Sequence, residues 1–201
     1  EEHEFKPVFF ESRKHEIIVY RRSSLPYGPQ HLHRYIEVMY VMSGVCRMYI
    51  EWTDYTVHAD EAVIIFPNQV HGYEYGPGTS HVVVLISPDL LPEYKELFLR
   101  SLPKQPLITG LERTPRLRGY FNAISEVYLE NKPNREITTR GLMTAFFSEV
   151  FETTEFLPAS ANISIPQAIL AFCMKNYQKP VTLGMISHEL YISPNYISRI
   201  F

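Results

Sequence analysis

The chain has 201 residues, 45% hydrophobic and 20% charged, with a formal net charge of −3. That composition excludes fibrous and disordered classes and leaves room for one large domain, or a medium domain with a small one. It also excludes a global basic field, so any surface for nucleic acid has to be local.

Two cysteines, Cys46 and Cys173, lie far apart without metal-type spacing, which points to a reduced, cytoplasmic protein. The opening Glu1-Glu2-His3-Glu4 has the character of no leader peptide. No apolar run approaches the roughly 20 residues that cross a bilayer, so no membrane partner is expected.

Taken in chain order, Phe5 to Phe10 is apolar and reads as an edge strand. His15 to Arg22, Tyr35 to Met42, Val45 to Trp52, Ala62 to Phe66 and His81 to Ser87 are rich in Val, Ile, Tyr and Met and read as strands. Turn chemistry separates them at Pro26-Tyr27-Gly28-Pro29, Ser43-Gly44, Asp60-Glu61 and Gly76-Pro77-Gly78. Many short strands at this spacing predict a sandwich or barrel over residues 1–88.

After Pro88 the pattern becomes helical. Pro92 to Leu99 reads as a short helix. Leu117, Tyr120, Phe121, Ile124, Val127 and Tyr128 recur at steps of three and four, and so predict an amphipathic helix from Pro115 to Asn131. Pro133 to Thr153 repeats the pattern, and the short connection predicts an antiparallel hairpin. Residues 89–157 are therefore expected to cover the barrel and to offer a homodimer interface, residues 158–162 to form a linker, and residues 163–201 to form a separate helical unit.

Within the barrel segment, His31, His33 and Glu37 have the same parity, so they are expected on one face. His71, from a neighbouring strand, would complete a set of three imidazoles and one carboxylate. Three readings stay open: side chains that bond one another, a pocket for a polyhydroxylated ligand, or a divalent metal site. Tyr73 and Tyr75 could add hydroxyls or a stacking face to the pocket, or lie under the helices. The His-x-His-x3-Glu-x6-Gly spacing with a later Pro-x3-His resembles the cupin barrel, which implies His31, His33, Glu37 and His71 as metal ligands. Gln69 departs from that family's second motif, where Gly is usual.

At the C-terminal end, Ile165 to Gln178 reads as a helix, Thr182 as the cap of a second through Leu190, and Ser193-Pro194 as the start of a third. Tyr196, Ile197, Ile200 and Phe201 can pack inward, while Asn195, Ser198 and Arg199 face out, as a major-groove reader requires. Val181 to Phe201 closely resembles the first helix-turn-helix of the AraC/XylS family of transcription regulators. That resemblance implies an α+β chain: a cupin-like double-stranded β-barrel sensor, a helical dimerisation hairpin, and a DNA-binding domain of which this sequence holds the first part. It implies a small-molecule effector, a sugar being one class, bound by His31, His33, Glu37, His71 and Tyr73. It also implies operator DNA bound through Asn195, Tyr196, Ser198 and Arg199. No catalytic residue is expected and no cofactor is required, with a divalent metal the open option. Because the reader is incomplete, residues 1–201 alone are expected to bind operator DNA weakly. The alternative reading is a cupin metalloenzyme, a dioxygenase or sugar isomerase, using the same four residues.

Overall fold

In the computed structural model, the described residues are 9–11, 14–22, 27–51, 53–159, 165–176 and 178–200. The strands are of two kinds, separated by how their apolar residues are spaced. One set is apolar at nearly every position: β4 (Ile36–Ser43), β7 (Glu61–Ile65) and β9 (Ser80–Ile86). The other alternates, as in β5 (Val45–Ile50) and β6 (Thr53–His58). A continuous run indicates a strand covered on both faces, and alternation one with a wet face. The topology follows that division. A middle sheet has the order β11-β7-β4-β9-β2, with β2 at Ile17–Arg22 and β11 at Leu107–Ile108. An outer sheet has the order β1-β3-β8-β5-β6, with β1 at Phe9–Phe10, β3 at Tyr27–Leu32 and β8 at His71–Tyr75.

The two sheets share one core. Met39, Val41, Val63, Ile65, Val83 and Leu85 from the middle sheet meet Cys46, Met48, Ile50 and Val57 from the outer one. The opposite face of the middle sheet presents Val38, Tyr40, Ile64, Val82 and Val84 to helices α1 (Lys95–Arg100), α2 (Pro115–Leu129) and α3 (Arg135–Phe151). Aromatic rings fill that layer. Tyr40 stacks on Phe121 at 4.9 Å, and edge contacts lead from Phe121 to Phe146, Phe147, Phe98 and Phe66. Helices, middle sheet and outer sheet thus form three layers in an α+β arrangement.

Six strands fall outside the segments read as strands: β3, β6, β8, β10 (Ser101–Pro103), β11 and β12 (Phe156–Pro158), although His31 and His71 are expected on strands. Tyr27-Gly28-Pro29 reads as a turn, yet it opens β3. Pro29 is tolerated because β1 pairs only with His31 and Leu32, and the register with β8 shifts between Gly28 and His31. The helical hairpin lies at Pro115–Leu129 and Arg135–Phe151, close to the predicted bounds. Part of the expected linker is ordered sheet: β12 (Phe156–Pro158) pairs with β10 (Ser101–Pro103). Residues 160–164 lie outside the described residues. Beyond them come α4 (Ile165–Asn176), α5 (Leu183–Leu190) and α6 (Pro194–Ile200). Among the described residues no helix is long and apolar enough to cross a membrane.

Candidate functional site

The four residues predicted to converge do so, but not along one strand. His31 sits in β3 directly opposite His71 in β8, both in the outer sheet. Glu37 sits in β4 of the middle sheet, paired with Ile65 and Leu85. His33 lies on the short segment in which the chain crosses from one sheet to the other. The parity argument gives the right face for a different reason: each sheet turns that face toward the shared core.

Each of the four offers one donor atom, and these atoms lie within 4.8 Å of one another. His33, Glu37 and His71 are fully or almost fully buried, and His31 is nearly so. Two backbone carbonyls orient the imidazoles. Nδ1 of His31 lies 2.9 Å from the carbonyl oxygen of Pro29, and Nδ1 of His71 lies 2.9 Å from that of Gln69. A carbonyl can only accept, so both Nδ1 atoms carry hydrogen and both Nε2 atoms turn toward the cluster. Nε2 of His33 donates to Glu37 Oε2 at 3.0 Å. Nε2 of His71 stands 3.5 Å from the same oxygen, an ion-pair distance rather than a well-formed hydrogen bond. Glu37 Oε1 and His33 Nδ1 are buried without a hydrogen-bond partner.

The electrostatics follow from that packing. Burial alone would raise the Glu37 pKa, but its contacts with His33 and His71 outweigh burial and hold the carboxyl well below its ordinary range. Burial would likewise lower the His71 pKa, and the adjacent Glu37 carboxylate outweighs it, so His71 keeps a proton to higher pH than usual. His31 goes the other way. Its burial, with the neighbouring charge of His71, lowers its pKa from 6.5 to about 4. Glu37 and His71 thus each favour the charged form of the other, a pairing whose positive partner a cation could replace.

The donor set fits a divalent transition ion. Three imidazoles and a carboxylate are its usual partners, and metal-bound histidines donate their other ring N–H to a carbonyl, as His31 and His71 do here.

Tyr73 stands edge-on to His31 with ring centroids 5.9 Å apart, and Tyr75 stacks flat on His81 at 4.2 Å. Both tyrosines border the core between the sheets rather than lying under the helices. His81 and Glu11 were missed by the sequence reading. Strand parity with Val83 and Leu85 would have placed His81 inside. Nothing in the local sequence signals Glu11, whose Oε2 lies 3.8 Å from His31 Nε2.

The predicted DNA-contacting residues lie on α6. Asn195, Ser198 and Arg199 are exposed, Tyr196 is half-buried, and Ile197 packs with Ile169 and Ile186. Thr182 Oγ1 accepts from Met185 N at 3.3 Å, and Ser193 Oγ accepts from Tyr196 N at 3.2 Å, so both predicted caps form. Phe201 lies outside the described residues.

Comparison with known proteins gives one family match. The profile described as "AraC-like ligand binding domain" matches residues 16–147, more than half of the chain. Comparison with curated protein sequences gives no match. Among solved structures, an apo ToxT variant from Vibrio cholerae is 12% identical, with 91% of this chain and 73% of that one covered and a TM-score of 0.51. ToxT bound to an unsaturated fatty acid is 13% identical, with 88% and 69% covered and a TM-score of 0.47. Oxalate decarboxylase from Bacillus subtilis is 14% identical over 36% of this chain and 21% of that one, with a TM-score of 0.33. At such identities the first of these likenesses speaks for the fold alone.

Proposed function

Because the chain belongs to the family of AraC-like ligand-binding domains, we propose that it is the sensing part of a ligand-responsive transcription regulator. Residues 1–88 form the cupin-like effector-binding unit in this reading, and residues 89–157 the dimerisation hairpin. Residues 158–162 form the linker, and 163–201 the beginning of a helix-turn-helix domain that reads operator DNA. The observation that carries the reading is the buried His31–His33–Glu37–His71 cluster, which lies inside the matched segment.

In this reading the cluster holds a divalent metal ion. Bound there, the ion would offer open coordination positions to an oxygen-bearing small molecule such as a sugar. The chain's own residues do the rest. The carbonyls of Pro29 and Gln69 fix two imidazoles, Glu37 supplies negative charge, and Tyr73 borders the pocket beside His31. A route to the reader is at hand. Leu170 of α4 packs on Leu32 and Val70, and these residues adjoin His31, His33 and His71 in the chain. A shift at the cluster would move the surface on which α4 rests and so redistribute the arrangements of the reading helices. Arg199, with Asn195, Ser198 and Tyr196, would meet bases and phosphates. A homodimer would form through the hairpin, where Leu129 and Ile137 are exposed apolar residues near its turn.

The same cluster supports a second reading, a cupin metalloenzyme. The ligand-binding family match and the capped C-terminal helices favour the regulator. The test is a thermal-shift screen of zinc-loaded protein against sugars and other oxygen-rich metabolites, beside His71→Ala. A hit that raises the midpoint in the parent and not in the variant supports the sensor. Turnover of the hit compound would move the chain to the enzyme class. Absence of both metal uptake and stabilisation would sink the effector site.

A further inference from the structure

The orientation of His71 depends on one peptide group, because its Nδ1 lies 2.9 Å from the carbonyl oxygen of Gln69. That carbonyl belongs to the Gln69–Val70 peptide, and a trans peptide points its C=O and its N–H in opposite directions. Whatever holds the Val70 N–H therefore aims the Gln69 carbonyl at the imidazole.

A carboxylate holds it. Val70 N donates to Glu51 Oε1 at 3.0 Å, and Glu51 N donates in return to the Val70 carbonyl at 2.7 Å. Glu51 is half-buried in the turn between β5 and β6. The chain ahead of the peptide is fixed as well. Gln69 Oε1 accepts from Phe66 N at 2.8 Å, and Asn68 N donates to the His33 carbonyl at 2.8 Å. The Gln69 side chain, which departs from the cupin motif, thus closes the turn that precedes His71. The remaining freedom is a tilt of the peptide plane, and the Glu51 carboxylate opposes it.

The bonds run in series. Glu51 Oε1 accepts from Val70 N–H, the Gln69 oxygen of the same peptide accepts from His71 Nδ1–H, and His71 Nε2 stands 3.5 Å from Glu37 Oε2. Such bonds polarise one another, so the Glu51 charge strengthens the carbonyl as an acceptor and favours hydrogen on Nδ1. Glu51 also has a left-handed backbone, with φ 53°, which strains an L-residue and which glycine adopts freely. Glycine there would give up the carboxylate.

We infer that Glu51 is a positioning residue for His71: through the Gln69–Val70 peptide, its carboxylate holds the imidazole with hydrogen on Nδ1 and with Nε2 turned to the cluster. The consequence for metal affinity rests on the metal reading above, and the orientation of the ring does not. Partners that bond a metal-binding histidine directly govern affinity by about ten- to a hundredfold. Glu51 acts one peptide further out, so an effect of about two- to tenfold is expected.

The test compares the parent chain with Glu51→Gln, Glu51→Ala and, as control, Glu61→Gln. Glu61 makes the same kind of bond at the next hairpin turn, where its Oε2 accepts from His58 N at 2.8 Å, on a peptide of β6 rather than one that meets the cluster. Long-range 1H–15N spectra of the histidine rings read the His71 Nδ1 proton in metal-free protein, and calorimetry reads zinc affinity. In Glu51→Ala that proton should exchange with water about ten times faster than in the parent. Glu51→Gln, which can still accept but carries no charge, should show a smaller change in the same direction. Zinc binding should weaken in the same order, and Glu61→Gln should match the parent in both measurements. An Nδ1–H signal in Glu51→Gln unchanged from the parent would overturn the inference, whether or not Glu51→Ala folds. Equal changes in the Glu51 variants and Glu61→Gln would overturn it too, since they mark a general loosening of the turns. A parent chain that takes up no zinc would remove the metal reading, and the ring spectra would still decide the role of Glu51.

Discussion

The three-layer body and the C-terminal helices are built on opposite terms. In the body, the middle sheet is buried on both faces, and the aromatic layer under it includes fully buried Phe121, Phe146 and Phe147. Among the described residues of α4, α5 and α6, the buried apolar core is Ile169, Ile186 and Ile197, with half-buried neighbours around it. A site made of buried ionisable groups needs the first kind of surround. Glu37 and His71 are buried, and packed layers hold them in place. A unit that must present side chains to a partner and change position needs the second kind, in which little apolar area has to be disrupted for it to move.

Two core substitutions should expose the difference most strongly. Phe147→Ala removes a ring that meets Phe98, Phe146 and Phe151, at a cost of about 3–5 kcal/mol, a large fraction of the roughly 5–15 kcal/mol that keeps a domain folded. It should lower the main thermal transition and loosen the cluster with it. Ile186→Ala should act only locally, melting α5 and α6 while the main transition stays in place. Hydrogen exchange with circular dichroism reads both. A common shift of both units in either variant would show that they unfold as one, and would undo the comparison.

A smaller effect tests the electrostatic side. The folded-state pKa of His71 is raised above its unfolded value, so in metal-free protein its contribution to stability is present below about pH 6.5 and lost as pH rises through the folded-state pKa. His31 has the opposite sign: its pKa falls to about 4, so its contribution is present above about pH 6.5 and lost as pH drops toward 4. Metal competes with the His71 proton, so affinity should rise with pH above about 6.5, with protons released on binding. The gap in melting temperature between zinc-loaded and metal-free protein should therefore widen from pH 6.5 to 8. A gap constant over that range would show that His71 is not where metal and proton exclude each other.

The same contrast explains what the sequence made legible. The C-terminal helices are local structures, set by Thr182, Ser193 and Pro194 and by the spacing of apolar residues, so both their bounds and their exposed face could be read directly. The cluster is not local. The parity of His31, His33 and Glu37 is legible, but the crossing from outer to middle sheet at residues 33–35 depends on long-range pairing. β3 and β8 were hidden because Gly28, Pro29 and Gly72 are poor strand formers that bulges and neighbours accommodate. His81 was within reach of strand parity. Glu11 was not, since only the parallel pairing of β1 with β3 brings it to His31.

The smallest expected effect works from the C-terminal side, by making the weaker unit stronger. Tyr191 closes α5 in the left-handed region, with φ 57°, and its ring is almost fully exposed. An L-residue with a Cβ costs about 1–2 kcal/mol there, and glycine adopts that conformation without strain. Glycine also gives the unfolded chain more freedom, which offsets about 0.4–1 kcal/mol of the gain. Tyr191→Gly should therefore stabilise α5 and α6 by about 0.5–1 kcal/mol and slow their amide exchange about two- to fivefold, leaving the sandwich unchanged. Faster exchange in the variant would mean that the tyrosine ring contributes packing its exposure does not suggest, and that the thin unit is better held than its three isoleucines imply.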